Sequence, residues 1–237
     1  MSPEQGRRER NKLDKQERIF TAASELFGAD GYEGVTTQRI AERAGVTNGT
    51  LFRYAANKAE LLLMVMNSEF ATRISEGREA AASVSAVQPA ASDPASEPAA
   101  HTAARAAARV MALLTPIARG SRDPHESTSH YQRELLFGEP TERYRAEGLA
   151  LTETLQREIA DLLSGDSDDD ATLAARAISN VLHLEIARAA LEGSSPDDLL
   201  ATIARQVDLI SSGYLRSRHP HTPDASLTES PMKEDNS

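Results

Sequence analysis

Apolar residues recur at three- and four-residue steps along most of this chain. They nowhere alternate with polar residues over the length of a strand, so the pattern predicts helices. The first helix runs from about Lys15 to Ala29, where Ile19, Phe20, Ala23, Leu26 and Phe27 form one stripe. Asp30-Gly31 ends it, because glycine accepts a positive φ at a helix C-terminus without steric penalty. Thr36 suits the N-cap of a short second helix carrying Ile40, Ala41 and Ala44, which Gly45 breaks. Thr47 caps a third, Asn48 to about Tyr54, with Leu51 as its anchor. A fourth spans about Lys58 to Glu79, with Leu61, Leu62, Val65, Met66, Phe70 and Ile74 inward. Five further helices are predicted: about Thr102 to Ala118, Ser129 to Phe137, Pro140 to Leu163, Asp170 to Leu191 and Pro196 to Arg216.

Three segments depart from this periodicity. Residues 1–14 have almost no apolar side chains and are expected to form a flexible basic arm, in which Arg7, Arg8, Arg10 and Lys12 could approach DNA. Residues 80–100 are rich in Ala, Ser and Pro, and Pro89, Pro94 and Pro98 forbid a continuous helix. A mobile insertion is expected there. Residues 218–237, rich in Pro, Ser and Asp, are expected to be a disordered tail.

Composition narrows the function. The chain has 237 residues and no cysteine, which excludes disulfides and thiolate metal sites. No apolar run approaches the roughly 20 residues that span a bilayer. Met1 to Gln16 lacks the apolar core of a signal peptide, so a soluble cytoplasmic protein without membrane association is expected. The net charge of −10 argues against nucleic acid until its distribution is considered. Residues 1–60 carry ten basic and nine acidic side chains, whereas residues 61–237 carry 16 and 27. The acidity belongs to the second part, and the first can still face phosphate.

The segment from Thr36 to Tyr54 carries the function. Two short helices joined by a tight glycine-containing turn make a helix-turn-helix, whose second helix enters the major groove of DNA. Ile40, Ala41, Val46 and Leu51 hold the pair together, while Thr47, Asn48, Gly49, Thr50 and Arg53 lie on the other surface. Gly49 leaves room for close approach to bases. The expected architecture is all-α: an N-terminal three-helix helix-turn-helix DNA-binding domain over 15–60, then a C-terminal helical bundle over 61–217.

From Gln16 to about Met64 the chain resembles the TetR family of bacterial regulators, through ERIFTAASELF, Gly31-Tyr32, IAERAGVTNGTLFRY and KAELL. The resemblance implies DNA contacts by Thr36, Thr37, Gln38 and Arg39 at the second helix. It implies further contacts by Thr47, Asn48, Gly49, Thr50, Phe52, Arg53 and Tyr54 at the recognition helix, and by Lys58 at a phosphate. Phe52 stands where the family usually has Tyr, and Ala55-Ala56 where it usually has Phe-Pro or similar.

The resemblance also implies a homodimer on a palindromic double-stranded operator, a small-molecule effector, and repression as the common outcome. The dimer surface is expected on the last two helices, through Ile178, Val181, Leu182, Ile186, Ala189 and Ala190 with Ile203, Val207, Ile210 and Tyr214; the alternative is that these stripes are intramolecular core. Met111, Leu114, Tyr131, Leu135, Phe137 and Tyr144 are candidates to line the effector pocket, or are plain core. No metal or cofactor is implied, since the six histidines show no ligand spacing and no phosphate loop or nucleophile elbow is present. An enzyme and a helical adaptor that does not act on DNA are the rival readings.

Overall fold

The computed structural model describes residues 3–87, 99–120, 127–139, 142–164 and 168–218. These form α1 (Pro3–Gly34), α2 (Thr37–Arg43), α3 (Asn48–Leu51), α4 (Lys58–Val87), α5 (Ala99–Gly120), α6 (Ser127–Phe137), α7 (Arg143–Ser164), α8 (Asp169–Glu192) and α9 (Pro196–Arg218). No strand occurs among the described residues, so the all-α expectation holds.

Several boundaries move. α1 begins at Pro3 rather than Lys15, so most of the expected flexible arm is helix. Proline is tolerated in a first helical turn, and the Arg, Lys, Glu and Gln that follow are strong helix formers. Gly31, at φ 68 and ψ 177, breaks the helical run as anticipated, before the chain turns once more to Gly34. α4 extends through Val87 and α5 starts at Ala99, which takes both ends of the expected insertion into helices; residues 88–98 lie outside the described residues. α7 starts at Arg143 rather than Pro140, and the expected tail beyond Arg218 also lies outside the described residues.

The caps explain why the helices start where they do. Thr36 and Thr47 each accept a backbone N–H three residues on, from Arg39 and Thr50, both at 3.2 Å. The Asp168 carboxylate accepts from the Asp170 N–H at 2.9 Å ahead of α8, and Ser195 Oγ accepts from the Asp198 N–H at 3.1 Å ahead of α9.

Two apolar cores are buried, and α4 belongs to both. In the head, Ile19, Ala23, Phe27, Val35, Ile40 and Leu51 close over Leu61 to Val65 of α4. In the body, Phe70 and Ile74 of α4 meet Val110, Leu113 and Leu114 of α5, Leu155 and Ile159 of α7, Ile178 and Leu182 of α8, and Ile203 and Val207 of α9. The α4–α5 crossing is close because Gly77 has no side chain: a Cβ there would collide with the backbone carbonyl of Leu113.

A buried polar junction ties α4 to α6 and α7. Asn67 is fully buried; its amide donates to the Tyr144 carbonyl at 2.8 Å and its oxygen accepts from the Tyr131 hydroxyl at 2.8 Å. One turn from the start of α4, the buried Glu60 carboxylate accepts the Tyr144 N–H at 2.9 Å. Burial raises the Glu60 carboxyl above its ordinary value, opposed by the backbone N–H bonds it accepts. Burial likewise pushes the Tyr131 hydroxyl well above its usual range, so it acts as a donor. Gly148 of α7 completes the fit, since a Cβ there would stand 2.5 Å from a Leu135 methyl and 2.8 Å from the Asn67 oxygen.

One substitution should therefore have opposite effects at two glycines. Gly77→Ala should destabilise the protein by about 1–3 kcal/mol through overpacking. Gly28→Ala, on an exposed turn of α1 with nothing near its Cβ, should stabilise it by about 0.5–1 kcal/mol. Urea denaturation midpoints read both, and an unchanged midpoint for Gly77→Ala would contradict the close crossing.

Candidate nucleic-acid interface

The turn between α2 and α3 is set by backbone hydrogen bonds. Gly45, at φ 64, occupies the left-handed region, its N–H donating to the Glu42 carbonyl at 3.1 Å, and the Val46 N–H returns to the Ala41 carbonyl at 3.0 Å. With Ile40, Ala41 and Leu51 buried beneath, the two helices are held as one piece. Regular helix in α3 stops at Leu51, three residues earlier than expected. Phe52, Arg53 and Tyr54 continue as a turn whose N–H groups bond to Asn48, Thr50 and Leu51 carbonyls.

The outward face of this unit carries Thr47, Gly49, Phe52 and Arg53 exposed, with Asn48 and Thr50 half-buried. Thr47 and Thr50 hydroxyls lie 2.9 Å apart and fix each other's rotamers. A Cβ at Gly49 would meet nothing within 4 Å, so the missing side chain is not required by internal packing. Glycine leaves the surface at that point low and open. Phe52 is 44% exposed and is not a core aromatic. The Asn48 side-chain oxygen is enclosed without a hydrogen-bond partner among the described residues.

The cations divide differently from the sequence expectation. Arg39 donates to the Gly34 carbonyl at 2.9 Å and to Asp30 at 2.7 Å, locking the end of α1 to α2. Arg43 pairs with Glu25 at 2.7 Å. Lys58 sits half-buried, donating to the carbonyls of Tyr32 at 2.8 Å and Val35 at 3.1 Å, with its ammonium 4.1 Å over the Tyr32 ring. Arg39 and Lys58, to which the resemblance gave DNA contacts, thus hold the head together in this structure. Arg53 is exposed and has no ion pair among the described residues. Thr36 caps α2, Thr37 is half-buried, and the Gln38 amide donates to Glu42 at 2.7 Å. The Tyr54 hydroxyl donates to the Lys12 carbonyl at 3.3 Å and so ties the turn after α3 to the first part of α1.

Sequence reasoning missed the head–body contact. The Tyr32 ring lies 4.4 Å from the His130 ring of α6, and His130 reaches Glu33 at 3.4 Å. It also missed Glu60 and Asn67, although two polar residues seven apart inside an apolar stripe were a signal for a buried polar site.

The expected effector list does not gather around one cavity. Leu114 is fully buried in the body core with Met111 beside it, Tyr131, Leu135 and Tyr144 belong to the head-side core, and Phe137 is 81% exposed. Two of the six, Leu135 and Tyr131, do border open space. A cleft of about 330 Å³ opens between α6, α7 and α8, bordered by Leu135, Leu136, Leu149, Thr152 and Leu184. Adjoining it is a smaller, partly open space of about 30 Å³ lined by Met66, Phe70, Arg73, Ile117, Thr128, Tyr131, Leu182 and Ile186. Gln132 and His183 line both and form the boundary, the Gln132 amide donating to the His183 carbonyl at 3.1 Å. Burial lowers the His183 pKa and keeps its ring neutral, and its Nδ1 lies 2.7 Å from the Ser179 carbonyl.

Most of the expected dimer residues face inward, although Ala190 is exposed. Ile178, Leu182, Ile186, Ala189, Ile203, Val207 and Tyr214 are buried within the single chain, and Val181 and Ile210 are half-buried. Helical periodicity identified the apolar face, but its partner is the chain's own core. Among the described residues no cluster of His, Asp or Glu could hold a metal ion, and no helix is long and apolar enough to cross a membrane.

Residues 19–65 match the family model described as bacterial regulatory proteins, tetR family. The HTH-type transcriptional repressor KstR of Rhodococcus jostii is 38% identical over 65 residues, 27% of this chain and 31% of that protein. The HTH-type transcriptional activator FasR of Mycolicibacterium smegmatis is 36% identical over 81 residues, 33% of this chain and 37% of that protein. The chain thus matches about a third of the length of these curated relatives. Among solved structures, Thermus thermophilus FadR, a TetR-family transcriptional repressor in complex with lauroyl-CoA, superposes with a TM-score of 0.56 at 24% identity, covering 81% of this chain and 92% of that one. A TetR transcriptional regulator from Rhodococcus sp. RHA1 gives 0.59 at 20% identity, over 83% and 94%. These likenesses extend the shared fold across the helical body.

The two basic residues that differ most in setting should separate in a stability assay. Lys58→Ala leaves two carbonyls at the end of α1 without their donor and should cost about 1–3 kcal/mol. Arg53→Ala should change stability by no more than about 0.5 kcal/mol. Chemical denaturation measures both, and the reverse order would contradict the role given to Lys58.

Proposed function

We propose that this chain, whose N-terminal domain belongs to the TetR family of bacterial regulators, is a sequence-specific DNA-binding transcriptional regulator. It acts as a homodimeric repressor that a small-molecule effector releases from a palindromic operator. The observation that carries this reading is the outward face of the helix-turn-helix. Thr47, Asn48, Gly49, Thr50 and Arg53 present hydrogen-bonding groups without bulk on a rigidly anchored turn, as major-groove readout requires. Thr36, Thr37 and Gln38 sit at the start of α2, where that helix meets the backbone of bound DNA. Phe52 and Tyr54 flank the reading surface.

The dimer face is the outer side of α8. Leu173, Ala177, Asn180, Leu184, Ala187 and Leu191 follow one another at alternating steps of four and three residues, opposite the buried side. That spacing is a heptad seam, which a second helix covers by knobs-into-holes packing. Leu173, Leu184 and Leu191 are 63%, 59% and 84% exposed, a strip of apolar surface that favours burial by a second copy.

The effector reading rests on the cleft and the smaller space that meet at Gln132 and His183; the cleft shares Asn180, Leu184 and Ala187 with the dimer seam, so a second copy would cover its α8 side. The lining is mostly apolar with a few polar groups and one cation, Arg73, at the inner end, which suits a largely apolar ligand. The smaller space holds about one water, so a ligand must part Gln132 from His183 to enter. A ligand that does so displaces Tyr131, and with it the hydrogen bond to Asn67 of α4. Release from DNA requires such differential affinity for the two arrangements.

Selection of bound duplexes from a random pool should enrich an inverted repeat with half-sites about one helical turn apart. Asn48→Ala or Arg53→Ala should relax the preference at individual positions, by about 1–3 kcal/mol for each bidentate base pairing removed. Enrichment of no motif would sink the regulator reading. Separately, Leu173→Glu combined with Leu191→Glu should convert the protein to a folded monomer in analytical ultracentrifugation; a dimer that persists would move the interface off this seam.

A further inference from the structure

We infer that the N-terminal half of α1 is a second DNA-contacting element, a helical spur whose basic stripe grips the phosphate backbone beside the operator half-site. The inference rests on the regulator reading above and adds to it a surface outside the helix-turn-helix. Register carries the first part of the argument. From Ile19 onward one face of α1 is buried in the head core. The same face, continued toward the N-terminus at steps of four, three and four residues, carries Lys15, Lys12 and Arg8. All three are exposed, and α1 is helical throughout this stretch. The side that is apolar where it meets α2 to α4 therefore becomes cationic where it passes beyond them.

Position carries the second part. The Tyr54 hydroxyl bonds the Lys12 carbonyl, so this stretch of α1 lies against the turn that follows the recognition helix. A duplex seated on α3 thus has its flanking backbone on the side where the spur runs. Charge carries the third part. Arg18, Arg39 and Arg43 are paired with Asp14, Asp30 and Glu25, and Lys58 is held by two carbonyls. Arg53 is the one cation between residues 16 and 60 that remains outward and without an ion pair among the described residues. One arginine per head is few for binding in physiological salt, where affinity rises with the number of phosphates neutralised. Arg8, Lys12 and Lys15 supply the missing cations, and Arg7 and Arg10 flank them.

The test is the salt dependence of binding to the selected duplex, carrying about ten extra base pairs on each side, by the full chain. Replacing Arg8, Lys12 and Lys15 together by Gln retains helix propensity. It should lower the slope of log K against log salt by about 3 units per head, at roughly 0.9 for each phosphate no longer neutralised, and leave the selected motif unchanged. Arg8→Gln alone should give about a third of that drop, and Arg8→Lys, Lys12→Arg and Lys15→Arg together should give none. Trimming the flanks from the duplex should erase the difference between wild type and the triple Gln variant. Motif-specific binding with the same slope in all variants would overturn the spur while leaving the regulator reading intact. So would a triple variant that changes thermal stability but not the slope, the outcome expected if the stripe paired with the acidic body. A wild-type chain that selects no motif would overturn the regulator reading, and the spur with it.

Discussion

The arrangement of head and body depends on one buried polar junction along α4. Glu60 and Asn67 lie on one side of that helix, seven residues apart, and between them they bond the Tyr144 N–H, the Tyr144 carbonyl and the Tyr131 hydroxyl. Apolar contacts alone would let α6 and α7 slide along α4 at little penalty. Buried hydrogen bonds do not allow this, because each displacement leaves a donor or acceptor unsatisfied away from water. The junction therefore fixes register, and Gly148 lets α7 come close enough for it to form. Since Leu61 to Val65 are also part of the head core, whatever holds α4 to the body holds the helix-turn-helix as well.

Charge imposes a second constraint. A head with a net charge of +1 joined to a body of −11 cannot rely on a general positive field. The structure goes further, because four of the five cations between residues 16 and 60 are held by ion pairs or carbonyls within the head. Arg39 and Lys58 fasten the α1–α2 corner where Gly31 interrupts the helix, and Arg43 fastens α2 to α1. On the proposed reading, recognition falls to small neutral groups around Gly49 with Arg53. Such groups discriminate bases well but attract phosphate weakly, which is why a separate basic surface on α1 has physical value.

The head was largely legible in the sequence. The caps at Thr36 and Thr47, the turn at Gly45 and the anchors Ile40 and Leu51 are local signals, and local signals survive folding. The body was legible as helices but not as surfaces. On α8 the inward stripe and the outward seam are both apolar, and periodicity ranks the faces without saying what covers each. Ile178 and Leu182 were assigned to a partner for that reason, although they meet their own core. Residues 3–14 were misjudged because a lack of apolar residues reads as disorder, whereas Arg, Glu, Gln and Lys also favour an exposed helix. Of the cavity only Tyr131 and Leu135 were legible, since the space between α6, α7 and α8 depends on how helices distant in sequence meet.

The position of Tyr131 links these features. Its ring borders the smaller space beside Gln132 and His183, and its hydroxyl is one of the bonds that pin α4. Coupling between an effector and an operator typically amounts to about 1–3 kcal/mol. Leaving one buried donor or acceptor unsatisfied costs about the same. The breaking of a single hydrogen bond, Tyr131 to Asn67, is thus already large enough to account for release, without any rearrangement of the apolar cores. An effector of the kind proposed would not need to deform the body. It would need only to occupy the space that Tyr131 now fills, in a protein whose two cores share one helix and whose register on that helix is set by a few polar groups.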